Sequence, residues 1–169
     1  MRAPSCPDFS ACGDALRALR AGMASSARTL VIGYGNDLRG DDGAGVRAAA
    51  RIAAQEPQTQ VIIRHQLTPD LASDVALATQ VVFIDAYAAE RRGAALRIER
   101  IFGGGAQGSG SPLVHHGQPA QLLSLARRLF GCFPEAWALG IPAFCFDAGE
   151  TLSAETALRV DQAVALLSE

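Results

Sequence analysis

Three aspartates, Asp37, Asp41 and Asp42, crowd the point where an apolar run gives way to a helical pattern, in the stretch Thr29–Arg47, TLVIGYGNDLRGDDGAGVR. Leu30, Val31 and Ile32 suit a strand buried on both faces. Gly33 and Gly35 allow a sharp turn and a close approach of backbone. Val46, Ala49, Ala50 and Ala53 then recur at helical spacing. A helix start offers unpaired N–H groups and a partial positive charge, which suits a phosphate. Acids at the same place repel one. The dinucleotide fingerprint fails as well, because Leu38 stands where its third glycine is required. A Walker-type loop needs a lysine, and the chain contains none. An acidic helix start suits a cation. The plainer alternative is that one aspartate caps the helix while the other is solvated, and this stretch alone leaves both readings open.

Further along, the run Val81-Val82-Phe83-Ile84 ends in Asp85. A carboxylate at the end of a buried strand is costly unless it is paired or coordinating; capping the next turn is its plainer role. His115 and His116 follow a Gly/Ser-rich loop over Gly103–Pro112 and precede a helical pattern, and the remaining histidine, His65, closes another strand candidate. Two carboxylates and an imidazole make a mixed oxygen–nitrogen donor set suited to nickel or zinc. No GxSxG elbow occurs, and none of the four cysteines sits in a CxxC pair or a zinc spacing.

The elements that must position these residues alternate along the chain. Strand candidates are the run after Thr29, then Gln60–Arg64, Gln80–Ile84, Ala95–Phe102 (at an edge) and Ala136–Ile141. Helices are expected after Asp42, over Pro69–Leu77 with Thr68 as N-cap, over Pro119–Phe130, and over Ser153–Leu167 with Ser153 as cap. This alternation predicts an α/β fold, a three-layer α/β/α sandwich around a mostly parallel sheet of about five strands. In such sheets ligands sit beyond the carboxyl ends of the strands, which selects Asn36, Asp41, Asp42 and Asp85 as residues to watch. Residues 1–27 read as an N-terminal extension with a short helix over Asp14–Met23, and residues 28–169 as a single α/β domain.

A chain of 169 residues, 49% hydrophobic and 19% charged, fits one domain with a real core. Its net charge of −2 gives no electrostatic pointer to nucleic acid or to an anionic membrane. All fifteen basic side chains are arginine. No apolar run approaches the roughly 20 residues that span a bilayer, residues 1–27 lack a secretory signal pattern, and unpaired thiols suit a reducing compartment. A cytoplasmic location is expected.

The segments GYGNDLRGDDGAGV, FIDAY and HHGQPAQLL, in that order, resemble the signature segments of the nickel–iron hydrogenase maturation proteases, and HQLTPDLA resembles a stretch found in part of that family. The resemblance runs from Thr29 to the C-terminus. It implies a phosphorylase/hydrolase-like fold and an endopeptidase that removes a C-terminal extension from a hydrogenase large-subunit precursor after nickel insertion. It implies Asp42, Asp85 and His115, with His116 as competitor, as catalytic and metal-binding residues. Gly35, Asn36, Asp41 and His116 would shape the substrate side. Many relatives carry Glu where this chain has the shorter Asp42. The implied nickel belongs to the substrate, with no organic cofactor. The resemblance leaves open whether the metal orients the scissile peptide, polarises its carbonyl or activates water, and whether Asp42 or Asp85 acts as general base. A non-catalytic metal- or hydrogenase-binding chaperone on the same fold is the alternative, and a nucleotide-dependent oxidoreductase is disfavoured by the missing glycine.

Overall fold

The computed structural model describes residues 14–15, 17–21, 28–102 and 117–168. Its five strands are β1 (Thr29–Tyr34), β2 (Gln60–Arg64), β3 (Gln80–Ala88), β4 (Arg97–Ile101) and β5 (Glu135–Ala143). They form one sheet in the order β2-β1-β3-β5-β4. All pairings are parallel except β4 with β5, so the expected edge strand is present and antiparallel. Residues 14–15 and 17–21 are helical, and the described helices after β1 are α1 (Ala44–Gln55), α2 (Ala72–Leu77), α3 (Gly117–Phe130) and α4 (Ala154–Leu167), with 3-10 turns at Gly40–Gly43 and Pro69–Leu71.

The sheet is covered on both faces, as its near-continuous apolar strands require. Val31, Val82, Ile84 and Trp137 pack with Ala44, Ala48 and Ile52 of α1 and Val160, Ala163 and Val164 of α4. On the opposite face Leu30, Ile32, Val81 and Phe83 meet Leu71 and Val75 around α2 and Leu122, Leu123 and Ala126 of α3. Leu129, which shares the helical spacing of that stripe, is exposed because the stripe ends a turn earlier. Leu19, in the segment read as an extension, is fully buried in the first cluster, and its carbonyl accepts a hydrogen bond from Gln80 Nε2 at 3.1 Å. That part of the segment is therefore packed against the core. Among the described residues no helix is long and apolar enough to cross a membrane.

The strand order carries the functional consequence. The chain leaves β1 for β2 on one side and returns to β3 on the other, so the crevice between the carboxyl ends of β1 and β3 is the topological switch point. β3 does not stop before Asp85, as its sequence suggested, but continues to Ala88 alongside β5. Its ladder with β1 closes earlier, at Gly33 opposite Ile84. Asp85 thus stands inside a strand yet one step past the last rung it shares with β1, because the two ladders of β3 have different lengths.

The start of α1 is pressed directly onto this crevice. A Cβ on Gly45 would lie 2.4 Å from the Ile84 carbonyl oxygen and 2.5 Å from that of Tyr34. Both obstacles are strand backbone and cannot rotate away. Gly45→Ala is expected to cost at least about 2 kcal/mol, read as a lowered urea midpoint with an unchanged slope; an unchanged midpoint would contradict this packing.

Candidate functional site

The site is built by the turn that links β1 to α1. Gly35 has φ of 138°, outside the range that L side chains readily adopt. A Cβ there would come within 2.1 Å of the Asp42 carbonyl oxygen, and 3.9 Å from it lies Asp85 Oδ1. The Gly35 N–H donates to the His65 carbonyl at 3.2 Å, tying the turn to the end of β2. Asn36 then makes three contacts: its N–H donates to Asp42 Oδ2 at 3.1 Å, its side-chain Oδ1 accepts from the Leu38 N–H at 3.0 Å, and its carbonyl accepts from the Arg39 N–H at 3.1 Å. This Asx turn curls the chain back so that the Asp42 and Asp85 carboxylates flank Gly35 and Asn36.

At the switch point the structure places Asp42 against Asn36 and Asp85 near Gly35. Both carboxylates are only partly exposed. Asp85 Oδ1 accepts from the Ala86 N–H at 2.8 Å, and its carboxylate also receives a hydrogen bond from the Tyr34 side chain. Burial first, and then the charge of Asp85 and that hydrogen bond, push the Tyr34 phenol far above its ordinary range. It is a permanent donor at any physiological pH.

Asp41 is placed otherwise than its expected substrate-facing role. It is fully buried. A 3-10 turn sets successive side chains about a third of a revolution apart, so Asp41 points inward where Asp42 points to the crevice. Its Oδ2 accepts from the N–H groups of Phe144 and Cys145 at 2.8 and 2.9 Å, and its Oδ1 from the Ser153 N–H at 2.6 Å. The hydroxyls of Ser153 and Thr156 each lie 2.8 Å from Oδ2. Asp41 does not cap the helix that follows it but braces the start of the distant α4 through Ser153 and Thr156. Ser153 is the N-cap of α4, as expected, its side chain accepting from the Thr156 N–H, whereas the N-cap of α1 is Gly43, with no side-chain cap.

The same loop is zipped to the segment after β5. Gly40 N–H donates to the Gly149 carbonyl at 2.7 Å, Gly149 N–H to the Leu38 carbonyl at 2.9 Å, and Asp41 N–H to the Cys145 carbonyl at 2.9 Å. Arg39 Nε reaches the Phe146 carbonyl at 3.3 Å, with its guanidinium over the Phe146 ring. Sequence reading found none of these partners except Ser153, since they lie more than a hundred positions from the acids they hold.

His115 and His116 lie outside the described residues. The helix they precede, α3, packs on the face of the sheet shared by Val81 and Phe83, which by strand alternation is also the face of Asp85. Since α3 ends at Phe130 and the chain enters β5 at Glu135, the amino end of α3 lies at the carboxyl edge of the sheet. Among the described residues no three His, Cys, Asp or Glu side chains group to hold a metal ion, so two carboxylates are what this part of the chain offers. That pair fits a hard or borderline divalent cation completed by other donors.

Fold and crevice together define a doubly wound α/β protein with an acidic switch-point site. No family profile and no curated protein matches the chain. Among solved structures it superposes on the [NiFe] hydrogenase maturation protease HybD from Thermococcus kodakarensis with a TM-score of 0.63 and 24% identity, over 82% of this chain and 95% of that one. The maturation protease HycI from the same organism gives 0.62 at 22% identity, over 85% and 92% of the two chains. The hydrogenase maturating endopeptidase HybD of E. coli gives 0.61 at 21%, over 82% and 88%. What these identities establish is a shared fold, spanning nearly the full length of each neighbour.

Burial raises the Asp41 carboxyl, but the hydrogen bonds from Phe144, Ser153 and Thr156 outweigh it and hold the group below the usual range. A depressed folded-state value stabilises the protein above the unfolded value of about 3.9 and is lost as pH falls through the lower folded one. Asp41→Asn is expected to cost about 3 kcal/mol at pH 7. Its deficit against wild type should shrink below about pH 4, as urea melts across pH will show; a pH-independent deficit would contradict an ionised Asp41.

Proposed function

We propose that the protein is an endopeptidase that removes the C-terminal extension of a nickel–iron hydrogenase large-subunit precursor after nickel insertion. One observation carries this reading: the Asp42 and Asp85 carboxylates flank the Gly35–Asn36 turn at the switch point of a sheet whose fold is shared with [NiFe] hydrogenase maturation proteases. The motif order along the chain supports it independently, since GYGNDLRGDDGAGV and FIDAY are the segments that supply these two acids.

The nickel is read as part of the substrate, held by its cysteines, with Asp42, Asp85 and a histidine, His115 ahead of His116, engaging it from the protease side. Each carboxylate arrives already oriented. Asp42 Oδ2 is steadied by the Asn36 N–H and Asp85 Oδ1 by the Ala86 N–H. Three protein donors leave coordination positions for substrate groups or water, and the ion there would polarise the scissile carbonyl or acidify water. A precursor without nickel would lack part of the site, which makes the ion a checkpoint for correct assembly. The chemistry is placed in the cytoplasm, where the precursor is made.

Purified protein incubated with nickel-loaded precursor is expected to release the C-terminal peptide, detected by mass spectrometry, and to leave nickel-free precursor intact. Equal cleavage of both would overturn the checkpoint. Asp42→Asn and Asp85→Asn should each slow processing at least about a hundredfold while the melting temperature stays near wild type; normal processing by either variant would remove that residue from the site.

A further inference from the structure

The last residue of β1 carries an inference that the reading of Asp85 as a site carboxylate does not by itself contain. Gly33 pairs with Ile84, so the next residues, Tyr34 and Asp85, stand side by side on the same face of adjacent parallel strands. Tyr34 is 6% exposed, packed with Leu30, Ile32 and Phe83. A tyrosine so deeply buried needs a partner for its hydroxyl, and the register sets the Asp85 carboxylate beside it. Across the strand, opposite Asp85, β5 has Gly140, which has no side chain to support the carboxylate from that side. The Ala86 N–H, 2.8 Å from Oδ1, comes from the residue next to Asp85 and moves with it. The Tyr34 hydroxyl comes from a different strand, and so refers the carboxylate to the rigid frame of the sheet.

We infer that Tyr34 is a positioning residue: its buried hydroxyl fixes the rotamer of Asp85 so that the carboxylate faces the crevice that Asp42 also lines. The proposal rests on the functional reading above for its kinetic consequence and on the geometry of β1 and β3 for its structural one. Supporting contacts of this kind are worth about tenfold or more in activity or metal affinity when removed.

The test is Tyr34→Phe in the full chain, which keeps the ring and deletes the hydroxyl; Tyr34→Met is the second hydroxyl-free side chain should the first not fold. Two readouts are taken. In NMR spectra of the isolated protein, the Asp85 side-chain carboxyl and Ala86 amide resonances should shift, while those of Val81 and Val82 stay in place. With nickel-loaded precursor, kcat should fall about tenfold and KM should remain within about twofold of wild type. Unmoved Asp85 and Ala86 resonances overturn the proposal even if cleavage slows, because the effect then bypasses Asp85. An unchanged kcat overturns it as well. If the wild-type protein cleaves no precursor, the proposed function falls, and the hold of Tyr34 on Asp85 is decided by the resonances alone.

Discussion

Contact of backbone against backbone at the junction of β1, β3 and α1 is the constraint from which the rest of the structure follows. The first turn of α1 approaches so closely that a side chain starting at Gly45 would strike two strand carbonyls, and one starting at Gly35 would strike the carbonyl of Asp42. Glycine at these positions removes the atoms that would hold the helix away. The helix start, with the acids before it, is thereby seated in the crevice between β1 and β3. Ligands bind there in doubly wound sheets, and here the lining is carboxylate.

Two adjacent aspartates divide the work that this seating creates. Asp41 turns into the protein and gathers main-chain and hydroxyl donors from the segment between β5 and α4. A buried carboxylate is stable only with such a full complement of donors, and this one clamps the glycine turn to the far end of the chain. Asp42 remains at the rim, held by one main-chain N–H. Rigidity of the rim is thus supplied by a neighbour that faces away from it.

Much of this was legible in the sequence. Apolar runs such as Val81–Ile84 and Leu30–Ile32 marked buried parallel strands, and the alternating Ala95–Phe102 stretch marked the edge. The acids after the glycine turn and at Asp85 were found because the strand-end rule points to them. The inward turn of Asp41 was not visible, because it is decided by the tight pitch of a 3-10 turn and by Ser153 and Thr156, which the fold alone brings near. Asp85 looks like the end of its strand in the sequence, since residue type does not reveal that β3 has one long ladder and one short. The burial of Leu19 is hidden for a similar reason: one leucine in an Ala- and Ser-rich stretch carries no periodic signal, and only the packed body shows where it goes. Tyr34 reads as the end of an apolar run until the β1–β3 register places it beside a carboxylate.

The account stands on one claim, that side chains remote in sequence share a cation at this crevice. Crystals of the full chain soaked in a nickel(II) salt, with diffraction recorded at the nickel absorption edge, test it most directly. The account predicts an anomalous peak between β1 and β3 with oxygens of both Asp42 and Asp85 about 2.0–2.2 Å away and a histidine nitrogen completing the set. Nickel found only at other surface positions, with the two carboxylates directed apart, would contradict it.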